Sequence, residues 1–372
     1  MKIAFYCTGN IWQAGGGATV IKNLLLKASN YKNIDKVLYV SDYIDIPLGL
    51  DKGFEIIKLK TPKSRLLLEL YDQVIAPYIL LKTRYKRVIC LNSIVPLLYP
   101  RRIDVYFQMR MFYFEELDSF SKKLKNYLGK ISLKKSTSVY VASKDHKKDL
   151  LQHLDLNAKK IKVVYLSVDH ELLANYRAAS ENMVNKVTDP YFLFVSVIRP
   201  YKNLHRLIEA YINVISKVGD SLPRLDIIGS PTNYLGMDEY MDDIDKMITR
   251  ANLQDSIRFL GTKPHEETML KLLESEALIF PTLFEGFGLP LLEAMACNVP
   301  VIVSNRNSLP EIGGEFVKYI DPESICDIEN KLLEFSSKGY DKQMLSNAFD
   351  RSKRFTWSES ANAVIEDREF IV

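Results

Sequence analysis

Short runs of β-branched and aromatic residues alternate along this chain with longer segments of helical periodicity. This alternation is typical of βα units, in which parallel strands buried on both faces are joined by crossover helices. In the first half it predicts strands at 2–7, 36–40, 54–59, 87–91, 105–108, 138–141 and 161–164. It also predicts helices at 17–29, 64–85 and 120–135.

A second series of the same kind follows a polar, non-periodic stretch at 167–189, which we interpret as a linker. Its predicted strands are 191–197, 224–228, 257–260, 277–280 and 299–303, and its predicted helices are 203–217, 239–251, 266–274, one after Pro290, and 357–369. A chain longer than roughly 250–300 residues usually has more than one core. We therefore expect two doubly wound α/β domains, at 1–183 and 187–356, with ligands bound in the cleft between them.

Charge is distributed unevenly, although the whole chain carries only +4. Residues 1–200 contain 32 basic and 18 acidic side chains, and residues 201–372 contain 18 and 28. This asymmetry predicts an anionic surface or ligand facing the first half. Nucleic acid is not the expected partner, because no RRM, KH or zinc-finger pattern is present. The 47% hydrophobic and 26% charged content also excludes disordered and collagen-like classes.

The cysteines suggest a reducing compartment. They have neither metal-ligand nor CxxC spacing, so neither a zinc site nor a disulfide framework is expected at Cys7, Cys90, Cys297 and Cys326. The first residues run directly into a predicted strand without the features of a secretion signal. The most apolar window, 66–81, contains Glu69 and Asp72 and is too short for a bilayer span.

A glycine-rich turn follows the first predicted strand, with Gly15, Gly16 and Gly17 opening a helix. Glycines let the backbone approach an anion, and a helix N-terminus offers unpaired N–H groups, so a phosphate fits there. The alternative is a turn that needs glycine only for its conformation. A nicotinamide-dinucleotide site has little support, because the GxGxxG spacing is absent.

Two cations stand three residues apart where the predicted strand 191–197 leads into a helix. They are Arg199 and Lys202, in the run Ile-Arg-Pro-Tyr-Lys-Asn. A planar guanidinium and a flexible ammonium placed there could both reach one diphosphate. The alternative is a solvated surface pair.

A Gly-Phe-Gly loop follows the apolar strand 277–280, and Pro290 suits the first turn of the helix after it. Glu285 precedes this loop and Glu293 lies within the helix. Either carboxylate could accept hydrogen bonds from sugar hydroxyls, or Glu285 could be a solvated loop residue. Glu293 stands between Leu292 and Ala294, where an unpaired carboxylate would be costly, which favours a ligand-binding role.

Together, the runs 198–203, 280–296 and 304–312 resemble the motifs of the retaining nucleotide-sugar glycosyltransferases of the GT-B fold. This is the large group 1 family, which includes bacterial mannosyltransferases of O-antigen and capsule synthesis. The resemblance implies two Rossmann-like domains facing a central cleft. The first domain would bind the acceptor and the second the nucleotide sugar, with the helix at 357–372 crossing back to the first.

The resemblance also implies roles for individual residues. Arg199 and Lys202 would hold the donor diphosphate, Glu285 would contact the transferred sugar, and Glu293 would bind the ribose. Sugar or phosphate would also bind the backbone N–H groups of Phe287, Gly288 and Leu289, and the glycines at 15–17 would close on the diphosphate. No metal or other cofactor is implied, because these donors stabilise the leaving group themselves.

One position departs from the family pattern. Many relatives have a histidine at the end of a mid-domain strand, whereas here that segment is Asp-Val-Tyr-Phe-Gln-Met-Arg at 104–110. Gln108 and Arg110 are the candidates to replace part of its contact with sugar or acceptor. The Asp-x-Asp string at 243–245 lies in a predicted acidic helix, and we interpret it as a solvated face rather than a metal site.

A lysine-rich segment extends over 121–148, with nine lysines and the single acidic residue Asp145. Lysines around an apolar stripe favour binding to anionic lipid, although an ordinary solvated helix has the same pattern. Acceptors in the family are often lipid-linked glycans. We therefore expect a peripheral protein on the cytoplasmic face of the inner membrane.

The sequence thus predicts a hexosyltransferase, with mannose from GDP-mannose as the first choice and a lipid-linked or oligosaccharide acceptor in O-antigen or capsule synthesis. UDP-hexoses and dTDP-rhamnose are alternative donors. A GT-B sugar-nucleotide epimerase would use a similar cleft without an acceptor, and a non-catalytic binding module would have no use for Glu285.

Overall fold

The computed structural model describes residues 2–9, 16–83, 85–107, 120–182, 189–232 and 236–372. Three residues singled out from the sequence, Gly15, Gln108 and Arg110, lie outside these ranges. The chain divides into two compact units, one of Met1–Leu166 with Thr356–Val372 and the other of Ser167–Phe355.

The first unit is built on a sheet whose described strands are all parallel. These are β1 (Lys2–Cys7), β2 (Asp35–Ser41), β3 (Glu55–Leu59), β4 (Arg87–Cys90), β5 (Arg102–Tyr106), β6 (Val139–Val141) and β7 (Ile161–Val163). Their order is β3-β2-β1-β4-β5-β6-β7. The helices between them are α1 (Gly16–Ser29), α2 (Arg65–Leu81), α3 (Phe120–Lys135) and α4 (Lys144–His153).

The second unit repeats this plan. Its helices are α5 (His170–Asn182), α6 (Leu204–Val218), α7 (Met237–Ala251), α8 (His265–Glu274), α9 (Leu289–Ala296), α10 (Leu309–Gly313), α11 (Ile325–Lys338) and α12 (Lys342–Ser352). Its strands are β8 (Tyr191–Val195), β9 (Arg224–Ile228), β10 (Ile257–Gly261), β11 (Ala277–Phe280), β12 (Val301–Ser304) and β13 (Lys318–Ile320). The strand order β10-β9-β8-β11-β12-β13 is again all parallel.

Both sheets reverse their strand order beside their first strand, next to β1 and next to β8. The two doubly wound parallel sheets predicted from the sequence are therefore confirmed. At such a reversal the crossover helices leave on opposite faces, and a crevice opens at the carboxyl ends of the strands. Ligand-binding groups are expected at those two edges.

The last helix, α13 (Trp357–Glu366), belongs to the first unit. Arg87 is buried in β4, pairs with Asp104 at 2.6 Å, and donates to the Val364 carbonyl near the C-terminus of α13 at 2.7 Å. Asp367 follows the helix; burial would raise its pKa, but hydrogen bonds from Lys162 and other donors hold the pKa below its usual range. A cation facing the last carbonyls of a helix is favourable, and this contact adds to the burial of Trp357, Val364 and Ile365 in holding α13 on the first unit.

The stretch 167–189 is not simply the linker that the sequence suggested, because α5 forms within it. Asp169 accepts a hydrogen bond from the Leu172 N–H at 3.1 Å and so caps the helix, while Leu173 is buried. Arg177 donates to the Ala296 carbonyl at 2.9 Å and lies over the Phe349 ring. These contacts attach α5 to the second unit, whereas the sequence analysis placed its residues in the first domain.

Other elements were missed by the sequence analysis or shifted at their ends. The periodicity indicated neither α4 in the first unit nor α10, β13, α11 and α12 in the second. Within the described ranges, no helix is both long and apolar enough to cross a bilayer.

Candidate functional site

Two loops meet at the carboxyl edge of the second sheet, one after β8 and one after β11. The Leu283 N–H donates to the Tyr201 carbonyl at 2.8 Å, and the Thr282 hydroxyl donates to the same oxygen at 3.2 Å. The strands themselves are neighbours in the sheet. The two motifs that the sequence analysis singled out separately therefore form one structure.

Asn203 fixes the junction between the first loop and α6. Its backbone is left-handed, with φ of 64°, a conformation that asparagine tolerates better than most residues. Its buried side-chain amide donates to the carbonyls of Pro281 and Pro322 at 3.0 and 2.6 Å. The position of the preceding residue, Lys202, is fixed as a result.

Lys202 and Glu285 form an ion pair, with Nζ 2.6 Å from Oε2 and side chains only 10% and 18% exposed. The Gly286 N–H donates to the other carboxylate oxygen at 3.1 Å. The Lys202 ammonium also lies 5.3 Å from the centre of the Phe280 ring. An ammonium has three donors, so Lys202 can keep Glu285 and still donate to a ligand oxygen.

Arg199 lies in extended backbone just before a 3-10 helix of one turn, Pro200–Lys202. Its Nε donates to the Thr232 hydroxyl at 3.1 Å, which orients the guanidinium. The other guanidinium N–H groups have no hydrogen-bond partner among the described residues. Arg199 thus offers a fixed fork of donors suited to a phosphate.

The loop between Glu285 and α9 has a backbone that requires glycine at Gly288. Its φ is +99°, and a Cβ there would lie 2.6 Å from a methyl group of Leu309. No described residue accepts a hydrogen bond from the N–H of Gly288 or Leu289, and these groups stand at the N-terminus of α9. Phe287 is buried with its ring against Phe355, so its side chain packs the loop onto the unit.

Glu293 lies on the otherwise apolar helix α9, as the sequence analysis noted. Among the described residues its carboxyl has no hydrogen-bond or ion-pair partner. Part of its surface is accessible, but protein atoms surround the carboxyl closely, and this desolvation raises its pKa to about 7. Glu293 is therefore a half-ionised group near neutral pH that lacks a partner of its own.

The sequence-predicted glycines of the first unit lie at the start of α1. Gly16 and Gly17 form its first turn, while Gly15 lies outside the described residues. On the strand side of the turn, Gly9 has φ of +78° and donates its N–H to the Ser41 hydroxyl at 3.1 Å. This hydrogen bond fixes the backbone at Gly9, where the chain leaves β1.

A buried cluster at the same edge was missed by the sequence analysis. Asp72 on α2 accepts hydrogen bonds from the hydroxyls of Tyr6 and Thr8 at 2.6 and 3.1 Å, and from the Asn92 amide at 3.4 Å. Burial raises its pKa to about 6, against the lowering effect of these bonds. The signal was a carboxylate within an apolar helix, the same argument that singled out Glu293.

The Asp-x-Asp string of α7 is exposed, as expected for a solvated face, with the Asp243 side chain 78% accessible and the neighbouring Lys246 paired with Asp242. Within the described ranges, no three His, Cys, Asp or Glu side chains are grouped as a metal site.

Residues 176–351 match the profile of the family described as glycosyl transferases group 1. Among curated relatives, the O-antigen chain mannosyltransferase RfbU of Salmonella typhimurium is 30% identical over 71% of this chain and 69% of its own length. The O-antigen chain mannosyltransferase B of Escherichia coli is 29% identical over 47% of this chain, which spans 44% of that protein.

Solved structures resemble the chain over nearly its whole length. Sucrose-phosphate synthase from Thermosynechococcus elongatus has a TM-score of 0.76 at 16% identity, covering 98% of this chain and 97% of that one. Anabaena HepE, solved in complex with UDP and glucose, has a TM-score of 0.72 at 17% identity and 99% coverage of both chains. At this identity the likeness shows the fold, which is the GT-B fold expected from the sequence. Since the similarity to RfbU also extends over more than two thirds of both proteins, the chain belongs to the group 1 family of glycosyl transferases.

Proposed function

We propose that this glycosyltransferase moves a hexose, with retention of anomeric configuration, from a nucleotide sugar to a lipid-linked or oligosaccharide acceptor of a bacterial O-antigen or capsular polysaccharide. Mannose from GDP-mannose is the first choice, because two similar proteins carry the name O-antigen mannosyltransferase. The observation that carries the proposal is the Lys202–Glu285 pair beside the open donors of Arg199.

The donor diphosphate would bind at the carboxyl edge of the second sheet, where the loops after β8 and β11 meet. Arg199 supplies a planar fork, Lys202 supplies the ammonium donors not used by Glu285, and Gly288 and Leu289 supply backbone N–H groups at a helix N-terminus. Both cations follow β8, and the N–H groups follow β11, its neighbour. The charge of a diphosphate would thus be balanced by protein groups, so the proposal includes no metal or other cofactor.

The same groups stabilise the leaving group as the glycosidic bond breaks. The bond between the sugar C1 and the phosphate oxygen breaks with its electron pair on that oxygen, where Arg199 and Lys202 offset the developing negative charge. An acceptor hydroxyl attacks C1 from the same face and passes its proton to the departing phosphate oxygen. The new bond then has the original anomeric configuration without an enzymic nucleophile.

Glu285 would hold the transferred sugar by accepting hydrogen bonds from two of its hydroxyls. Its carboxylate is already held by Lys202 and the Gly286 N–H, so it does not have to reorganise when the sugar arrives. Glu293 would accept hydrogen bonds from the ribose diol. Only the ionised carboxylate accepts from both hydroxyls, so donor binding would favour ionisation of Glu293.

The first unit would bind the acceptor and the membrane. On α3, the side chains of Lys123, Lys134 and Lys135 are exposed while Leu133 is buried. This arrangement supports the proposal of an anionic lipid surface on the cytoplasmic side of the inner membrane as partner. Closure of residues 15–17 on the diphosphate, and sugar or acceptor contacts of Gln108 and Arg110, stay predictions because most of these residues lie outside the described ranges.

The test combines a thermal-shift screen with product analysis. GDP-mannose should raise the melting temperature more than UDP-glucose, ADP-glucose or dTDP-rhamnose, because a ligand bound only to the native state stabilises it. Lys202→Ala should abolish that shift, whereas Lys246→Ala, at an exposed lysine of the same unit, should retain it. With acceptor present, NMR of the product should show a retained anomeric centre.

Each other outcome contradicts a different part of the proposal. A larger shift with a UDP or dTDP sugar would overturn the donor assignment, and an inverted product would overturn retention. Isomerisation of the donor without acceptor would identify an epimerase. If none of the nucleotide sugars shifts the melting temperature, the diphosphate site itself is wrong.

A further inference from the structure

Helix α2 of the first unit has an apolar face that no described residue covers. Of its described side chains, those that are exposed are all large and apolar: Leu66, Leu67, Leu70, Val74, Ile75, Tyr78 and Leu81, with accessibilities from 36% to 63%. Most of them recur at spacings of three or four residues, so they form one stripe along the helix.

The inner side of the same helix is already occupied by the core of the first unit. Tyr71, Ala76 and Leu80 are buried, and Asp72 is held by the cluster at the sheet edge. The outer stripe is therefore apolar surface beyond what the fold needs. Large contiguous apolar patches at a protein surface mark interaction surfaces.

Cations border the stripe. Lys63 precedes the helix and Lys82 follows it, both exposed, and the Lys82 ammonium lies 4.2 Å from the centre of the exposed Tyr78 ring. Arg101 donates to the Thr83 carbonyl just beyond the helix. Leu98, which is 69% exposed, lies in the same connection between β4 and β5 as Arg101.

We propose that the outer stripe of α2 is the surface by which the protein lies on an anionic bilayer, with its apolar side chains in the acyl–headgroup boundary and its flanking cations at the lipid phosphates. This inference rests on the membrane association that is part of the proposed function, and it locates the membrane-binding surface on α2. Apolar burial and attraction of Lys63 and Lys82 to anionic headgroups act together in such a surface. The Tyr78 side chain, with an apolar ring and a polar hydroxyl, is amphipathic in the way typical of residues at a membrane interface.

A second copy of the chain is the less favourable occupant. Two α2 stripes packed antiparallel about a two-fold axis would place Lys63 of one copy beside Lys82 of the other. That juxtaposes like charges at both ends of the interface, whereas a leaflet containing anionic lipid supplies opposite charge at both ends. The charge pattern therefore selects the lipid surface.

The inference also differs from the lysine-rich segment that the sequence suggested. The described lysines of α3 attract anionic lipid, but Tyr127 is its one exposed large apolar side chain with a described environment. Attraction without apolar insertion is weak and salt-sensitive. We expect α2 to dominate binding and α3 to add to it.

The experiment measures co-sedimentation of the full chain with phosphatidylcholine vesicles that contain or lack phosphatidylglycerol. The variant Leu67→Gln/Leu70→Gln/Val74→Gln removes apolar surface without adding charge, and glutamine keeps good helix propensity. We expect it to weaken binding to anionic vesicles at least about tenfold. The matched control Leu151→Gln/Phe259→Gln changes exposed apolar residues elsewhere and should bind as the parent does.

Three results would overturn the inference. The glutamine variant could bind as the parent does while Lys123→Glu/Lys134→Glu/Lys135→Glu loses binding, which would show that α3 and not α2 is the membrane-binding surface. The parent could bind neither kind of vesicle. Sedimentation equilibrium could show a dimer that the glutamine variant abolishes. The thermal shift by GDP-mannose must be unchanged in the glutamine variant, and this separates failure of the surface from failure of the donor site.

Discussion

The carboxyl edges of the two sheets have the same strand topology, but their polar side chains differ in whether they have hydrogen-bond partners. In the first unit, the buried carboxylate of Asp72 accepts hydrogen bonds from Tyr6, Thr8 and Asn92. In the second, Glu293 has no partner among the described residues and Arg199 uses one of its donors. An edge that closes its own hydrogen bonds holds a shape, whereas an edge that leaves them open is ready for a ligand that brings the missing groups.

The exposed faces of the helices also differ: the exposed face of α2 in the first unit is apolar, and that of α7 in the second unit is polar. The described exposed positions of α2 are all apolar, while those within α7 of the second unit are polar or charged, including Asp238, Asp242 and Lys246. A water-facing helix is expected to resemble α7. The difference agrees with the two proposals above, in which the second unit binds a small polar ligand at its edge and the first unit binds an apolar partner along a helix.

The largest effect on transfer is expected from Glu285→Ala. This change removes the proposed contact to the sugar and leaves the Lys202 ammonium buried without its partner, so kcat should fall by about 10²–10³ and stability should fall as well. Steady-state transfer assays and thermal melts measure the two effects. Glu267→Ala, at an exposed acid paired with Lys263, should change neither.

A double variant separates the catalytic loss from the structural one. In Lys202→Met/Glu285→Leu both charges are replaced by apolar groups, which should restore stability without restoring transfer. If the double variant transferred sugar at the parental rate, the open edge of the second unit would be structural, and the contrast with the first would disappear.

The next effect in size is that of Arg199→Lys. The substitution keeps the charge but loses the planar fork and the bond from Nε to the Thr232 hydroxyl. We expect KM for the donor to rise by about tenfold and kcat to fall less, since the ammonium still offsets part of the phosphate charge. An unchanged KM would show that Arg199 does not touch the diphosphate.

Much of this second edge was predictable because its strands are continuous apolar runs followed by loops with distinctive residues. The bounds predicted for β9 and β11 agree with the structure residue for residue. The pairing of Lys202 with Glu285 was not predictable, since these residues stand 83 positions apart and only the sheet order brings them together. Taken separately, the two sequence motifs predict a different ligand for each of these residues.

Capping and burial explain the remaining differences. Helix α5 was missed because its signal is the single cap Asp169 before a polar segment with few buried positions. The face of α2 was missed because an all-apolar helix is ordinarily buried, and the sequence alone does not distinguish a covered helix from an exposed one. In the sequence, Asp72 argues only against a membrane span, although the other carboxylate on an apolar helix, Glu293 of α9, is predicted to bind a ligand.

A pH dependence centred near neutrality is expected from Glu293. Its pKa of about 7 lies above the ordinary value near 4.5, so the ionised form that we propose binds the ribose becomes scarce below neutral pH. Donor affinity should fall about tenfold between about pH 8 and about pH 6. Calorimetric titration at several pH values measures the change, and Glu293→Gln should bind weakly with no such dependence.

Stability should follow the opposite direction for the same residue. A carboxyl whose pKa is raised by folding favours the protonated native state, so the free energy of unfolding falls as pH rises from about 4.5 to about 7 and is level above. Glu293→Gln should therefore stabilise the protein by roughly 2–3 kcal/mol at about pH 8 and little at about pH 4.5. A variant that loses stability at high pH would mean that Glu293 has a favourable partner in the native state.

The smallest effect on transfer is expected from Asp72→Ala, which tests the closed edge. The hydroxyls of Tyr6 and Thr8 lose their common acceptor in a buried place, so stability should fall by about 2–4 kcal/mol. Because these bonds are internal to the first unit, KM for the donor should stay within about twofold at a temperature where the variant is folded. Denaturant unfolding and donor titration give the two numbers. A loss of donor-binding free energy far larger than the loss in the free energy of unfolding would show that the edge of the first sheet also holds the ligand. The two edges would then differ only in whether their polar groups are already hydrogen-bonded before the ligand binds.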